Sequence, residues 1–147
     1  MIDRKHIGYK SPTFDVEVEK GRLRLFAKAV GEQNPIYSDE QAAREAGYPS
    51  LPVMPTFFFC LEMEQADPYG WFDVLGIPIT NALHAEQSFN YHAMAFAGDV
   101  LRYASEVVDI FDKKGGALVF IKQDTSITNQ HRQPIAEFRR TIVVQSR

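Results

Sequence analysis

From residue 82 onward the chain reads as four long strand segments, at 83–92, 100–111, 117–128 and 135–145, the last three rich in β-branched and aromatic residues. Short polar turns join the later ones, at Lys113-Lys114-Gly115-Gly116 and around Asn129-Gln130-His131-Arg132-Gln133. Runs of this length with turns this short read as consecutive antiparallel hairpins. Residues 13–18 alternate apolar and polar side chains and add a fifth, half-buried strand. Whatever else the chain forms must pack on that sheet.

The first half supplies the helices. Within 22–30, Leu23, Phe26, Ala27 and Val30 fall at i, i+3, i+4 and i+7, and Gly31 provides the stop. Ser38 is placed to cap a second helix over 39–46, with Asp39 and Glu40 at its positive dipole end and Gly47 beyond it. Pro55 suits the first turn of a third helix that runs through Thr56 to about residue 65. Its apolar run, Phe57-Phe58-Phe59-Cys60-Leu61, covers the helix nearly all round and predicts burial. A short helical turn follows at 72–75. Helices first and long antiparallel strands second predict an α+β domain in which a curved sheet of about five strands wraps one apolar helix. No repeat, linker or break in composition divides residues 1–147, so one domain is expected.

Bulk charge narrows the function classes. A net charge of −3 argues against binding nucleic acid through its phosphates. The most apolar stretch, 53–61, is too short to cross a bilayer of roughly 30 Å and contains Pro55, so no membrane span is expected. Alternating charges in Met1-Ile2-Asp3-Arg4-Lys5-His6 do not resemble a secretory leader. Cys60 is the single cysteine, is expected to be buried and unreactive, and fits a reducing cytoplasm. Neither the close helical spacing of a metal site nor a glycine-rich phosphate loop is present, and no metal or redox nucleotide cofactor is expected.

Three blocks carry a resemblance. They are Phe26-Ala27-Lys28-Ala29-Val30-Gly31-Glu32-Gln33-Asn34-Pro35-Ile36-Tyr37-Ser38-Asp39, then Val53-Met54-Pro55-Thr56-Phe57, then Leu83-His84-Ala85-Glu86-Gln87-Ser88-Phe89-Asn90-Tyr91-His92 with Ala97-Gly98-Asp99-Val100-Leu101. In order and spacing they resemble the MaoC-like hot-dog dehydratases and hydratases. The nearest subgroup is the FAS1-like dehydratase one, together with the helper subunits of heterodimeric hydroxyacyl dehydratases. The resemblance implies a hot-dog fold and interconversion of 2-enoyl and 3-hydroxyacyl thioesters, with coenzyme A or acyl carrier protein as part of the substrate. It also implies a homodimer, or a heterodimer with a second MaoC-like hot-dog subunit.

Such chemistry needs water activated for attack on the β-carbon, a proton for the α-carbon, and donors for the thioester oxygen. In catalytic members the loop after the first helix reads glycine, aspartate, any residue, asparagine, proline, an aliphatic and histidine. Glu32 and Tyr37 stand at the acid and base places, and both depart from that pattern. Glu32 keeps a carboxylate one methylene longer. A phenol with a pKa of about 10 is protonated at neutral pH and does not replace imidazole as a proton shuttle. Asn34 matches and is expected to bond loop backbone or to orient Glu32. Pro55-Thr56 takes the place of a His-Gly pair whose glycine amide polarises the thioester, leaving the Thr56 amide at a helix start as a carbonyl donor. Phe57 opens a run that reads first as core and second as the wall of an acyl tunnel.

His84 matches a family position and reads as a core or interface histidine beside an acyl channel. His84 and His92 lie an even number of residues apart, which predicts one shared face and roughly 26 Å of separation at strand rise. Asp99, after Gly98, is expected to satisfy turn amides. Arg22, Arg24, Lys28, Arg44, Arg102, Arg139 and Arg140 are candidates for coenzyme phosphates or an acidic carrier, and otherwise read as solvated charge. These residues predict a substrate-binding subunit that relies on a catalytic partner. The alternatives are a self-sufficient homodimeric hydratase using Glu32, a non-catalytic acyl-binding module, and an acyl-CoA thioesterase.

Overall fold

A computed structural model describes residues 2–145. Its elements run β1 (Phe14–Glu17), α1 (Lys20–Val30), α2 (Glu40–Glu45), α3 (Phe57–Glu62), α4 (Gly70–Leu75), β2 (Ala82–Tyr91), β3 (Val100–Lys113), β4 (Leu118–Thr128) and β5 (Pro134–Gln145). Helices precede long strands, and all pairings are antiparallel in the order β1-β3-β4-β5-β2. The two predicted hairpins, β3–β4 and β4–β5, form as expected. β2 does not join β3; it crosses the domain and pairs with β5 at the far edge.

Curvature comes from bulges. Pairing in β3 skips Val108, and pairing in β2 skips Ala85, each a single extra residue that bends its strand. The sheet thereby curls around α3, whose Phe57, Phe58 and Leu61 are buried. The Tyr103 hydroxyl on β3 donates to the Phe58 carbonyl at 2.9 Å and ties sheet to helix. Among the described residues, no helix is long and apolar enough to cross a membrane.

Three local expectations need correction. Asp39, not Ser38, caps α2: its carboxylate accepts from the amides of Gln41 at 2.8 Å and Ala42 at 3.4 Å. Ser38 closes a 3-10 turn instead, and its carbonyl accepts from Arg24 Nε at 2.8 Å. The third helix is shorter than the apolar run suggested, because past Glu62 the bonds tighten to i→i−3, as in Glu64 N–H to the Leu61 carbonyl. In α1, Leu23 and Ala27 are buried, but Val30 is 54% exposed, so the apolar stripe ends a turn early.

Burial pushes the Tyr103 phenol well above its usual range, and the nearby Glu62 and Glu64 charges push the same way. A phenol held protonated in the fold contributes stability that is fully present below its unfolded pKa of about 10. That contribution is lost as pH rises above this value toward the folded pKa. Tyr103→Phe is therefore expected to flatten the decline in unfolding free energy above about pH 10, read by urea titrations at a series of alkaline pH values. An unchanged slope would assign the decline to other groups.

Candidate active site and acyl-binding region

Gly31 ends α1 in the left-handed conformation at φ 73°, and the Glu32 amide returns to the Ala27 carbonyl at 2.9 Å. The closure aims the following loop across the end of the helix. Glu32 Oε1 then accepts the Asn34 amide at 2.8 Å, and Asn34 Oδ1 accepts the Ile36 amide at 3.2 Å. The Asn34 side chain thus holds loop backbone, whereas the contact to Glu32 is made by the backbone N–H of residue 34 and not by its side chain. Pro35–Tyr37 forms a 3-10 turn that leaves Tyr37 half-buried. Burial raises the Tyr37 phenol pKa, and the Glu32 carboxylate and Tyr48 raise it further. Tyr37 is a hydrogen-bond donor at neutral pH, not a proton shuttle.

Phe26 of α1 stacks obliquely on Phe57 of α3, with ring centroids 4.7 Å apart, and so docks the end of α1 near the first turn of the central helix. Phe57 is buried and is core, whereas Thr56 is exposed just before the helix begins. His84 pairs with the inward-facing Ile142 and its ring lies 5.6 Å from that of Phe59, but it is exposed in the single chain and is not the covered core histidine expected. It lines a cavity of about 300 Å³ with Phe59, Met63, Trp71, Phe72 and Leu83. The wall of that cavity includes none of Glu32, Asn34, Tyr37 or Thr56. His92 is not on the same face: the extra residue at Ala85 reverses the alternation, and His92 Nε2 lies 3.6 Å from the outward carboxylate of Glu137.

Cys60 is only half-buried, less covered than the surrounding apolar run predicts, and burial pushes its thiol pKa up against the opposing charge of Arg22. Asp99 accepts the Phe96 amide at 2.8 Å and closes the turn into β3. Most of the candidate phosphate ligands are already engaged. Arg22 pairs with Glu64, Arg24 and Arg44 with Glu40, Arg102 with Asp15 and Arg139 with Asp124.

Arg140 departs furthest from expectation. It is 5% exposed and pairs with Glu62 of α3, itself 1% exposed, so it is no solvated face. Thr125 Oγ1 donates to Glu62 Oε1 at 3.2 Å, with Ser105 Oγ 2.8 Å from Thr125 Oγ1. The guanidinium lies 5.5 Å from the ring centroids of both Phe59 and Phe138. In cross-strand register, Gln87 faces Arg140 and Arg140 faces Gln123. A polar seam thus crosses β2, β5, β4 and β3 beneath Glu62, and it divides the apolar core into two clusters. Sequence reasoning missed this seam. Its signal was present in the alternation, since Ser105 and Arg140 each have apolar residues two positions away on both sides, and the pair Gln123 and Thr125 is bracketed in the same phase by Ile121 and Ile127.

A family model described as FAS1-like, dehydratase domain region, matches residues 5–138. A UPF0336 protein of Saccharopolyspora erythraea is 32% identical over 143 residues, covering 97% of this chain and 90% of that protein. UPF0336 protein SCO4636 of Streptomyces coelicolor is 33% identical over 122 residues, covering 82% and 81%. Among solved structures, the HadBC (3R-hydroxyacyl-ACP dehydratase) complex of Mycobacterium tuberculosis superposes with a TM-score of 0.81 at 23% identity, covering 97% of this chain and 99% of that one. The ChsH1-ChsH2 complex of the same organism gives 0.75 at 23% identity, covering 94% and 89%. These likenesses make the fold a hot-dog. With a family model over nearly the whole length and relatives at 32% and 33% identity, the chain belongs to the FAS1-like dehydratase domain family of MaoC-like hot-dog proteins.

Proposed function

We propose that the chain is the acyl-thioester-binding subunit of a 2-enoyl/3-hydroxyacyl thioester dehydratase or hydratase, and that a second hot-dog subunit supplies the acid and base. The observation that carries this reading is the state of the loop after α1. The Glu32 carboxylate is bound by the Asn34 amide of its own loop, and Tyr37 stands as a protonated phenol where imidazole would shuttle protons. The substrate is a thioester of coenzyme A or acyl carrier protein.

Two features support a partner. The outer edge of β2 carries no strand partner among the described residues, and Leu83 and Tyr91 on that strand are 56% and 45% exposed. Such an edge with apolar side chains invites pairing with another strand. HadBC and ChsH1-ChsH2, which share the fold, are complexes. The test follows loss of enoyl-thioester absorbance with crotonyl-CoA and a longer 2-enoyl-CoA. The chain alone is expected to bind thioester with no hydration above background, and Glu32→Gln to change nothing. Rapid hydration abolished by Glu32→Gln would instead make the chain a self-sufficient hydratase, and release of free thiol would make it a thioesterase.

A further inference from the structure

The buried side-chain polar atoms without a partner among the described residues are Ser11 Oγ, both amide atoms of Gln87, Gln123 Oε1 and Arg140 Nε. All belong to the seam or to the cavity it opens into. Ser11, Gln123 and Arg140 line a space of about 400 Å³ between α3, α4 and the segment ahead of β1. Trp71 and Arg140 form the wall that this space shares with the cavity lined by His84. Each unpartnered buried polar atom costs about 1–3 kcal/mol, so several in one place call for a partner that is not part of the chain.

The chemistry of the walls defines that partner. Arg140 Nε offers a donor, Gln123 Oε1 an acceptor and the Gln87 amide both. Glu62 already neutralises the Arg140 charge, so the site has no excess charge for an anion or a cation. The surroundings are the rings of Phe59, Trp71 and Phe138. A group that both donates and accepts, carried on a hydrocarbon chain, satisfies all of these. Neither cavity wall includes Thr56, whose amide is the expected donor to the thioester oxygen, so a group bound here lies away from the thioester.

Resting on the acyl-thioester reading above, we propose that Arg140 and Gln123, where the seam opens into the cavity, bind a hydroxyl placed along the acyl chain, remote from the thioester. The subunit thereby selects oxygenated acyl chains over plain ones. Trp71 is the only tryptophan and walls both cavities, so its fluorescence reports occupancy directly.

The experiment titrates the full chain, in the assembly in which it purifies, with decanoyl-CoA and with decanoyl-CoAs hydroxylated at successive carbons out to the terminal one. At least one isomer is expected to bind about tenfold tighter than decanoyl-CoA, the scale of a hydrogen bond made to otherwise unpaired buried groups. Gln123→Leu is expected to bring every isomer to the affinity of decanoyl-CoA. Equal affinities across the wild-type series would overturn the proposal, leaving water in the seam and the acyl reading intact. Absence of binding by every thioester would overturn the acyl reading itself. The wild-type ranking decides the matter even if Gln123→Leu does not fold.

Discussion

Arg140→Ala is expected to lower the unfolding free energy by about 3–5 kcal/mol, because it strands the Glu62 carboxylate in the interior without its counter-charge. At this chain length that corresponds to a fall in Tm on the order of 10 °C. Glu62→Ala is expected to cost a similar amount by stranding the guanidinium among Phe59, Trp71 and Phe138. Replacing both partners together, Glu62→Leu with Arg140→Met, removes the two desolvated charges at once. Most of the single-variant loss should then be recovered, since apolar replacement of a buried ion pair is often neutral or stabilising. Urea titrations at one fixed protein concentration provide the comparison, since assembly shifts apparent stability. The two singles and the double form a cycle whose coupling term reads the pair directly. Single variants that cost no more than disrupting the exposed Arg102–Asp15 pair would show that water reaches the seam freely.

If the double variant is as stable as the wild type, the ion pair is not there for stability. Retaining Glu62, Arg140, Ser105, Gln123 and Thr125 across the middle of an apolar core then calls for a functional reason, and a remote hydroxyl-binding seam provides one. Stability and ligand preference can be separated here, because Gln123 Oε1 takes no part in the Glu62–Arg140 contact.

Local signals in the chain were legible because they are local. The alternation in 100–111 and 117–128, the Gly31 stop and the Lys113-Lys114-Gly115-Gly116 turn each act within a few residues, and the elements appear within a few residues of their predicted bounds. The apolar third helix was recognisable as core because every residue of the run Phe57-Phe58-Phe59-Cys60-Leu61 is apolar. Placing β2 beside β5 depends on how the sheet closes over α3, which no window of sequence encodes. One bulge residue, Ala85, undid the inference that His84 and His92 share a face, because strand parity holds only where no extra residue intervenes. Ser38 and Asp39 are both good caps, and only the backbone turn at Pro35–Tyr37 decides between them. Arg140 was read as surface because charged residues usually are, and its partner Glu62 lies 78 residues away.

Glu32→Asp combined with Tyr37→His is expected to raise kcat/KM for hydration of crotonyl-CoA by the chain alone at least a hundredfold, the lower end of what a positioned acid–base pair contributes. Two changes are needed for distinct reasons. Glu32 carries its carboxylate one methylene further than the aspartate of catalytic relatives, and errors near 1 Å cost on the order of a hundredfold. Tyr37 withholds its proton at neutral pH, whereas imidazole with a pKa of about 6.5 both takes and gives one. Glu32→Asp alone should therefore leave the chain inactive, and Tyr37→His alone should give only part of the gain. The pH–rate profile of the double variant should show a limb near the imidazole pKa that Tyr37→Phe lacks. The loop is prepared for the exchange: Gly31, Asn34 and Pro35 are in place, the Asn34 backbone amide already holds the carboxylate at position 32, and the turn at Pro35–Tyr37 fixes the direction of residue 37. A double variant that folds, binds thioester and still fails to hydrate it would show that this loop is not where the reaction's acid and base belong. The missing pair would then have to be sought on the partner across the β2 edge.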